Sequence, residues 1–190
     1  MKRAQEFIDN YYTRYWGLKA FQDSVAEEVE ASKFKTGKHT STGYPIHGGI
    51  YRSITGRSYY FEEQDAPEWM REKGTYTSFS PTKFKNYPIQ GFATGDVVPE
   101  MLGRVNRYLY SWKRTDNPLL INTVHDSMLL DVPPNDNITS IMRHVVVDLQ
   151  AILEDVPKAL EERWGITTDL PFNVGFEVGD SWGTTKKYSI

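Results

Sequence analysis

Residues 119–132 read LLINTVHDSMLLDV, two apolar runs separated by the pair His125-Asp126. Residues 119–124 and 128–132 are rich in β-branched and aliphatic side chains, which predicts two buried strands. The few residues between the runs leave room only for a tight hairpin connection. A carboxylate on such a turn stands clear of the sheet on a rigid stem, as a ligand of a divalent metal must. Because Asp is also a common turn residue, the pair alone does not distinguish a metal site from a plain turn.

A second segment lies upstream and reads Asn86-Tyr87-Pro88-Ile89-Gln90-Gly91. Asn86 and Gln90 are four residues apart, so on a helical turn they project on the same side. Their amides both donate and accept hydrogen bonds, which suits the DNA minor groove, where every base pair presents acceptors at similar positions. The purely structural alternative is an Asn-Pro-Gly turn with a capping Asn.

Together these two segments resemble the C-terminal part of a family A DNA polymerase, the DNA polymerase I-like group. In that family an N-x-P-x-Q-G segment lies about 30 to 40 residues before a strand–His-Asp–strand hairpin. Further segments resemble the family in the same chain order and extend the likeness over nearly the whole sequence: a helix at residues 3–18, a T-x-x-G-R-like turn at 53–57 and a Trp-containing tail at 174–182.

The resemblance implies an α+β fold. It implies the C-terminal part of a polymerase palm, in which a small antiparallel sheet with the His-Asp hairpin is backed by helices, plus part of the fingers. Residues 1–85 would be the fingers-side helices and a β-hairpin, and residues 86–190 the palm portion, joined as one continuous polymerase unit. The implied reaction is template-directed addition of a deoxynucleotide to a primer 3′ end.

The resemblance also implies roles for individual residues. Asp126 would be a catalytic residue and a ligand of Mg²⁺, and His125 would be catalytic and contact the primer terminus. Ordering of the hairpin by a hydrogen bond is an equal alternative for His125. The DNA contacts would come from amide, imidazole and basic side chains: Asn86, Gln90, His125, Lys83, Lys85 and Arg57. Arg57 could instead brace its turn, and Ser127 departs from the family, where a Glu often follows the Asp.

Two family motifs do not occur in this sequence. One is a D-Y-S-x-x-E-type strand with a second catalytic aspartate, and the other is a helix whose Arg, Lys and Tyr grip the incoming nucleotide. Two-metal phosphoryl transfer needs two converging carboxylates. Asp131 is not expected to be the second one, because it alternates to the opposite side of the hairpin from its apolar neighbours. Since the chain starts just after the expected end of the nucleotide helix, we expect a partner: an N-terminal polymerase chain that completes the Mg²⁺ site, together with primer–template DNA and dNTP.

The net charge of −3 is distributed unevenly along the chain. It is +3 over residues 1–60, +1 over 61–115 and −7 over 116–190. A binder of duplex DNA normally shows a basic face. A polymerase palm is an exception, because its acidic floor holds Mg²⁺ and the metal meets the phosphates. An acidic, solvated helix face is the plain alternative.

The composition is that of a folded globular protein, with 39% hydrophobic and 25% charged residues. There is no Cys, which excludes disulfides and Cys-based zinc sites. No apolar run approaches the roughly 18 residues of a membrane span, and the charged start predicts no signal peptide. We therefore expect a cytoplasmic protein, in the host cytoplasm if phage-encoded, with no membrane partner.

Apolar periodicity predicts the remaining elements. Helices are expected over residues 4–29 with a break at Gly17, over 97–112 with a start or kink at Pro99, over 138–153 with Asn135 or Asn137 as the N-cap, and from 157 to Gly165. Residues 35–45 are expected to be a loop, and 49–54 and 58–62 a hairpin. A strand at 172–178 could return to the hairpin at 119–132 and complete a three-stranded sheet.

Other functions fit parts of the pattern. Single-subunit RNA polymerases share an H-D-S hairpin, so the chain could be a piece of such an enzyme; dependence on a primer distinguishes the two. A polymerase-derived module without catalysis, which binds DNA or a replication protein, is a second alternative, and an activity assay with candidate partners tests it. A fragment of a longer chain is a third.

Overall fold

The computed structural model describes residues 2–112, 118–133 and 138–188. The chain divides into two compact units, Met1–Gly91 (unit 1) and Phe92–Ile190 (unit 2). Both contain helices and small antiparallel sheets, so the predicted α+β class is confirmed. Within the described ranges, no helix is both long and apolar enough to cross a membrane.

Unit 1 packs helices against a three-stranded antiparallel sheet with the order β1-β2-β3. Its elements are α1 Lys2–Arg14, α2 Trp16–Ala31, β1 Phe34–His39, β2 Pro45–Arg52, β3 Ser58–Glu62, β4 Gln64–Asp65, α3 Glu68–Arg71, β5 Thr77–Ser78 and α4 Pro81–Gln90. The core contains Val25, Val29, Phe61, Phe79 and Phe84. The predicted break in the first helix is present, but it falls at Tyr15 and not at Gly17.

β1 occupies residues that were predicted to be a loop, so that prediction was wrong. The strand pairs with β2, and its register is irregular between Lys35 and His39. β1 lies at the edge of the sheet and its side chains are mostly exposed. An exposed edge strand does not need the alternating apolar residues of a core strand and often carries charged residues such as Lys. Its polar sequence therefore looks like that of a loop.

Unit 2 is built around the hairpin predicted at residues 119–132. Its elements are α5 Val98–Ser111, β6 Leu119–Val124, β7 Ser127–Asp131, α6 Ile138–Glu154, α7 Val156–Trp164, β8 Phe176–Val178 and β9 Lys186–Tyr188. Buried Val105 and Leu109 of α5 pack with Val145 and Leu149 of α6. α7 ends where predicted, at Gly165, whose φ of 68° favours glycine.

The predicted three-stranded sheet of unit 2 does not form in the part of the chain that the structure describes. β8 pairs with β9, while β6 and β7 pair with each other. Phe176 of β8 still packs on the core beneath the hairpin, beside Leu120 and Met128. The side chain of Phe176 therefore packs beside the hairpin as predicted, but the backbone of its strand forms hydrogen bonds with β9. The predicted N-cap of α6, at Asn135 or Asn137, lies outside the described residues.

A buried carboxylate ties Lys33, which follows the end of α2, to the sheet in unit 1. The side chain of Glu63 is only 3% exposed, and its Oε1 accepts a 2.6 Å contact from Lys33 Nζ. Its Oε2 lies 2.9 Å from His47 Nδ1 and accepts a 3.0 Å hydrogen bond from the His47 backbone N–H. Burial alone raises the pKa of the Glu63 carboxyl, but the hydrogen bonds from Lys33 and His47 outweigh it and lower the pKa.

Replacing Glu63 by Gln should lower the free energy of unfolding at neutral pH by about 1–3 kcal/mol, because Lys33 and His47 lose a charged acceptor. The folded-state pKa of Glu63 lies below its unfolded value, so its contribution is present above the unfolded pKa of about 4.3 and is lost as the pH falls. Urea denaturation at neutral and acid pH should show the difference from the parent narrowing in acid. The exposed control Asp65→Asn should change stability by less than about 0.5 kcal/mol; an equal effect of both substitutions would contradict this prediction.

Candidate functional site

The β6–β7 hairpin carries His125 and Asp126 as its two-residue loop. Val124 pairs directly with Ser127, so the two strands remain paired up to the loop. Met128 and Leu130 of β7 pack on the core of unit 2, whereas Asp126 is exposed at the tip. The hairpin thus presents a carboxylate to solvent on a stem that is anchored in a core, as the sequence predicted.

The backbone of His125 has an unusual conformation. Its φ is 55°, and no other non-glycine residue that the structure describes has a positive φ. Two-residue hairpin loops need a positive φ at their first central position, which is why glycine or asparagine is common there. A histidine in this conformation costs free energy, and such residues concentrate at functional sites. The imidazole therefore stands on a backbone conformation that glycine would adopt at a lower cost in free energy.

The strand leading to the turn contains a β-bulge. Leu120 pairs with Leu130 and Asn122 with Leu129, so Ile121 is the extra residue. The side-chain oxygen of Asn122 accepts a 2.8 Å hydrogen bond from the backbone N–H of Thr123. Bulges bend and twist a strand and are common beside active sites. The bulge was not predicted; the signal in the sequence is Asn122, a residue type that is depleted in strands.

An open groove runs beside the hairpin, between α5 and β6. Its volume is about 460 Å³. The lining combines small, apolar and amide or hydroxyl side chains: Leu102, Gly103, Asn106, Leu120, Ile121, Asn122 and Thr123. Sequence reasoning missed this groove, because Asn106 and Thr123 meet only through the packing of a helix on a strand.

Within the described parts of the chain, no group of three or more His, Asp or Glu side chains is placed to hold a metal ion. Asp126 contributes one carboxylate at the turn. Asp131, at the end of β7, is exposed and pairs with Leu119, while Met128 and Leu130 face the core. The prediction that Asp131 faces away from its apolar neighbours is therefore confirmed.

Asn86 and Gln90 lie on one exposed side of α4 in unit 1, a single turn apart. Phe84 and Pro88 are buried on the other side and anchor the helix. Gly91 ends it in close contact with β3: a side chain at this position would collide with the ring of Tyr59, whose Cε1 would be 2.6 Å from a Cβ. The helix therefore presents two amides in fixed positions, and the glycine allows it to seat against the sheet.

A π-helical segment, Gly91–Val97, follows α4 directly. π-helical turns are rare and occur frequently at functional sites. No feature of the sequence predicted it. Pro88, inside the preceding helix α4, has no backbone N–H to donate.

The basic residues predicted to bind DNA lie in different surroundings in unit 1. Lys85 Nζ donates a 2.9 Å hydrogen bond to the Tyr12 hydroxyl and lies 5.4 Å from the Tyr12 ring centroid. The hydrogen bond from Lys38 lowers the pKa of Glu62, and the charge of Lys83 adds to this effect. Arg57 is exposed at the β2–β3 turn. Lys85 therefore braces α1 against α4, Lys83 lies half-buried on α4 with its charge acting on Glu62, and Arg57 lies exposed at the β2–β3 turn.

The chain is similar to DNA polymerase I from three bacteria. It is 23% identical to the enzymes of Bacillus caldotenax, Geobacillus stearothermophilus and Bacillus subtilis strain 168 over 97% of its own length. The alignments cover 17% of each of these relatives, so the chain spans about one sixth of their length. No family model and no solved structure matches. The chain is thus distantly similar to one segment of a family A DNA polymerase.

Proposed function

We propose that this chain forms part of the palm and fingers of a family A DNA polymerase, which adds deoxynucleotides to a primer 3′ end. One observation carries the proposal: Asp126 stands exposed at the tip of a rigid hairpin, in a chain distantly similar to DNA polymerase I. A template-directed nucleotidyltransferase needs such a carboxylate to hold a metal ion against phosphates.

The donor at the hairpin tip suits Mg²⁺. This ion prefers hard oxygen ligands and is usually held by one or two carboxylates together with waters and substrate phosphates. Asp126 supplies one carboxylate and leaves the other positions open. When bound, Mg²⁺ would polarise phosphate oxygens and make the primer hydroxyl a better nucleophile. The role of Asp126 is to hold the ion in place, and the anchored strands limit its movement.

We propose that the second metal carboxylate and the nucleotide-gripping helix come from a second polypeptide. Support comes from α1, where apolar side chains repeat at helical spacing and remain exposed: Phe7, Ile8, Tyr11 and Tyr15 (the α1 stripe). Phe7 is 73% exposed. Val25 and Val29 of α2 belong to the same apolar periodicity of residues 4–29, but both are buried in the core of unit 1 and cannot face a partner. The proposed interface is therefore limited to α1 and the start of α2.

The β6–β7 hairpin also suits a partner strand. Its two strands pair with each other, and the exposed side of β6 carries Leu119 and Ile121. A two-stranded sheet has open edges that can hydrogen-bond with a further strand. We propose that a D-Y-S-type strand of the partner lies beside this hairpin and brings its carboxylate close to Asp126.

Asn86 and Gln90 are proposed to contact the minor groove of the primer–template. Replacing either by Ala should weaken primer–template binding, or alter misinsertion, by about 1–2 kcal/mol, the effect of a lost hydrogen bond in a tight site. Gln64→Ala removes an exposed amide from β4 and is the matched control. Extension of matched and mismatched primers measures the effect; parental behaviour of both variants would show that these residues are structural.

His125→Gly and His125→Ala distinguish the two roles considered for the histidine. Both remove the imidazole, but glycine relieves the positive φ, so the Gly variant should be more stable than the Ala variant by about 1 kcal/mol. If the imidazole contacts the primer terminus, both variants should lose primer extension to a similar degree. Full activity of the Gly variant with an impaired Ala variant would assign His125 to turn geometry alone.

The proposed function is tested by a primer-extension assay of the chain with its complementing polypeptide. We expect synthesis that requires a primer and dNTP. Synthesis from NTP without a primer would assign the chain to a single-subunit RNA polymerase. A complex that binds DNA without extending any primer would assign it to a non-catalytic module.

A further inference from the structure

The outward face of the unit 1 sheet carries three exposed apolar side chains close together. Phe34 pairs with Gly48, and Ile50 pairs with Tyr60, so these side chains point to the same face. Their exposed fractions are 40% for Phe34, 39% for Ile50 and 50% for Tyr60. The opposite face packs on the core through Phe61.

Gly48 forms the floor of this face. A Cβ at Gly48 would lie 2.7 Å from Phe34 Cζ and 2.9 Å from Tyr60 Cε2, so both rings lie directly over the glycine backbone. Their centroids are 6.0 Å apart and the ring planes differ by 37°. Aromatic rings over a glycine stabilise a sheet, but here the outer surfaces of both rings remain open to solvent. We call Phe34, Ile50 and Tyr60 the aromatic platform.

Polar and basic groups surround the aromatic platform. The Tyr60 hydroxyl donates a 2.7 Å hydrogen bond to Glu62 Oε1, which also lies 2.7 Å from Lys38 Nζ, so the tyrosine ring is held in place. Arg52 pairs with Ser58 and alternates to the platform side of the sheet. Lys38 and Arg52 therefore bring basic side chains beside the platform, whereas Lys33 contacts the buried Glu63 instead. The platform therefore combines open aromatic surfaces with two neighbouring basic side chains, Lys38 and Arg52.

We propose that the aromatic platform binds single-stranded DNA by stacking bases on Phe34 and Tyr60. Aromatic surfaces beside basic side chains are the usual means of binding single strands without sequence preference, since every base has a π-face and every nucleotide a phosphate. Duplex DNA hides its base faces and does not fit. The choice of DNA over other polyanions rests on the proposed function, because a DNA polymerase works on a template whose unpaired part is single-stranded DNA.

The test is fluorescence anisotropy of the purified 190-residue chain with labelled oligo(dT) and with a duplex of the same length. We expect tighter binding of oligo(dT). Phe34→Leu and Tyr60→Leu should each weaken it at least about fivefold, the lower end of base–aromatic stacking, whereas Tyr60→Phe should retain it. Arg52→Gln should lower the slope of log Kd against log salt by about 0.7, one phosphate contact.

Trp69→Leu is the matched control, since Trp69 is 60% exposed in unit 1 but lies on α3, away from the platform. It should bind oligo(dT) like the parent; an equal loss in this variant would overturn the proposal. Thermal unfolding checks each variant, and Tyr60→Leu replaces Phe34→Leu if the latter unfolds. The proposal would also be overturned if the chain did not bind oligo(dT), or if it self-associated through Phe34 instead. Platform-dependent binding by a chain that never supports primer extension would uphold this inference and refute the proposed function.

Discussion

Replacing Asp126 by Asn should lower nucleotide addition by about 10²- to 10⁴-fold and leave the fold intact. A catalytic metal ion stabilises transition-state charge by several kcal/mol, and each 1.36 kcal/mol corresponds to a factor of about ten in rate. Asparagine has the size and turn tendency of aspartate, and Asp126 is exposed in a tight turn between paired strands. The substitution therefore removes the charge while the hairpin stays formed. Primer extension by the complemented variant measures the effect, and circular dichroism checks the fold.

Asp131→Asn is the internal control for this prediction. Asp131 lies on the same hairpin and is also exposed, but it is at the far end of β7 from the turn. Its substitution should change the rate by less than about threefold, the scale of a surface change within about 0.5 kcal/mol. Comparable activity of a folded Asp126→Asn complex, or equal losses in both variants, would remove Asp126 from the proposed metal site.

The parts of the fold that depend on local pattern could be predicted from the sequence. The hairpin follows from two apolar runs separated by three residues, and α7 follows from its periodicity and the terminal Gly165. The position of Asp126 at a turn, and of Asn86 and Gln90 on one side of a helix, follows from the same local rules. Their binding of metal and DNA stays a prediction, because it depends on groups outside these elements.

The features that were missed depend on contacts between distant segments. Phe176 has the apolar character of a strand beside the hairpin, but its strand forms hydrogen bonds with β9. Periodicity predicts that a strand exists and does not specify its partner. The aromatic platform appears only when the register of β1 on β2 places Phe34 opposite Gly48. A sequence in which residues 35–45 resemble a loop cannot show that register.

The chain alone should not extend a primer, and activity should appear when it is mixed with a polypeptide that carries a D-Y-S-type strand and a helix with Arg, Lys and Tyr. Two-metal phosphoryl transfer needs a second carboxylate besides Asp126. The α1 stripe offers a surface for the polypeptide that supplies it, because an exposed apolar face of this kind is normally covered by another protein surface. Obligate interfaces between chains typically bury upwards of roughly 2,000 Å². We therefore also expect self-association of the isolated chain, which analytical ultracentrifugation measures, and its disappearance on mixing with the partner.

Phe7→Asp and Asn10→Asp test whether the α1 stripe forms this interface. Both place a carboxylate on α1, at an apolar position of the stripe and at a polar exposed position respectively. Phe7→Asp should weaken association with the partner about 30-fold or more, the effect of a hot-spot contact worth roughly 2 kcal/mol, and extension should fall with it. Asn10→Asp should complement like the parent. Robust extension by the purified chain without a partner would refute the two-chain proposal. Equal complementation by both variants would place the interface elsewhere, because an apolar interface at Phe7 could not tolerate a buried carboxylate.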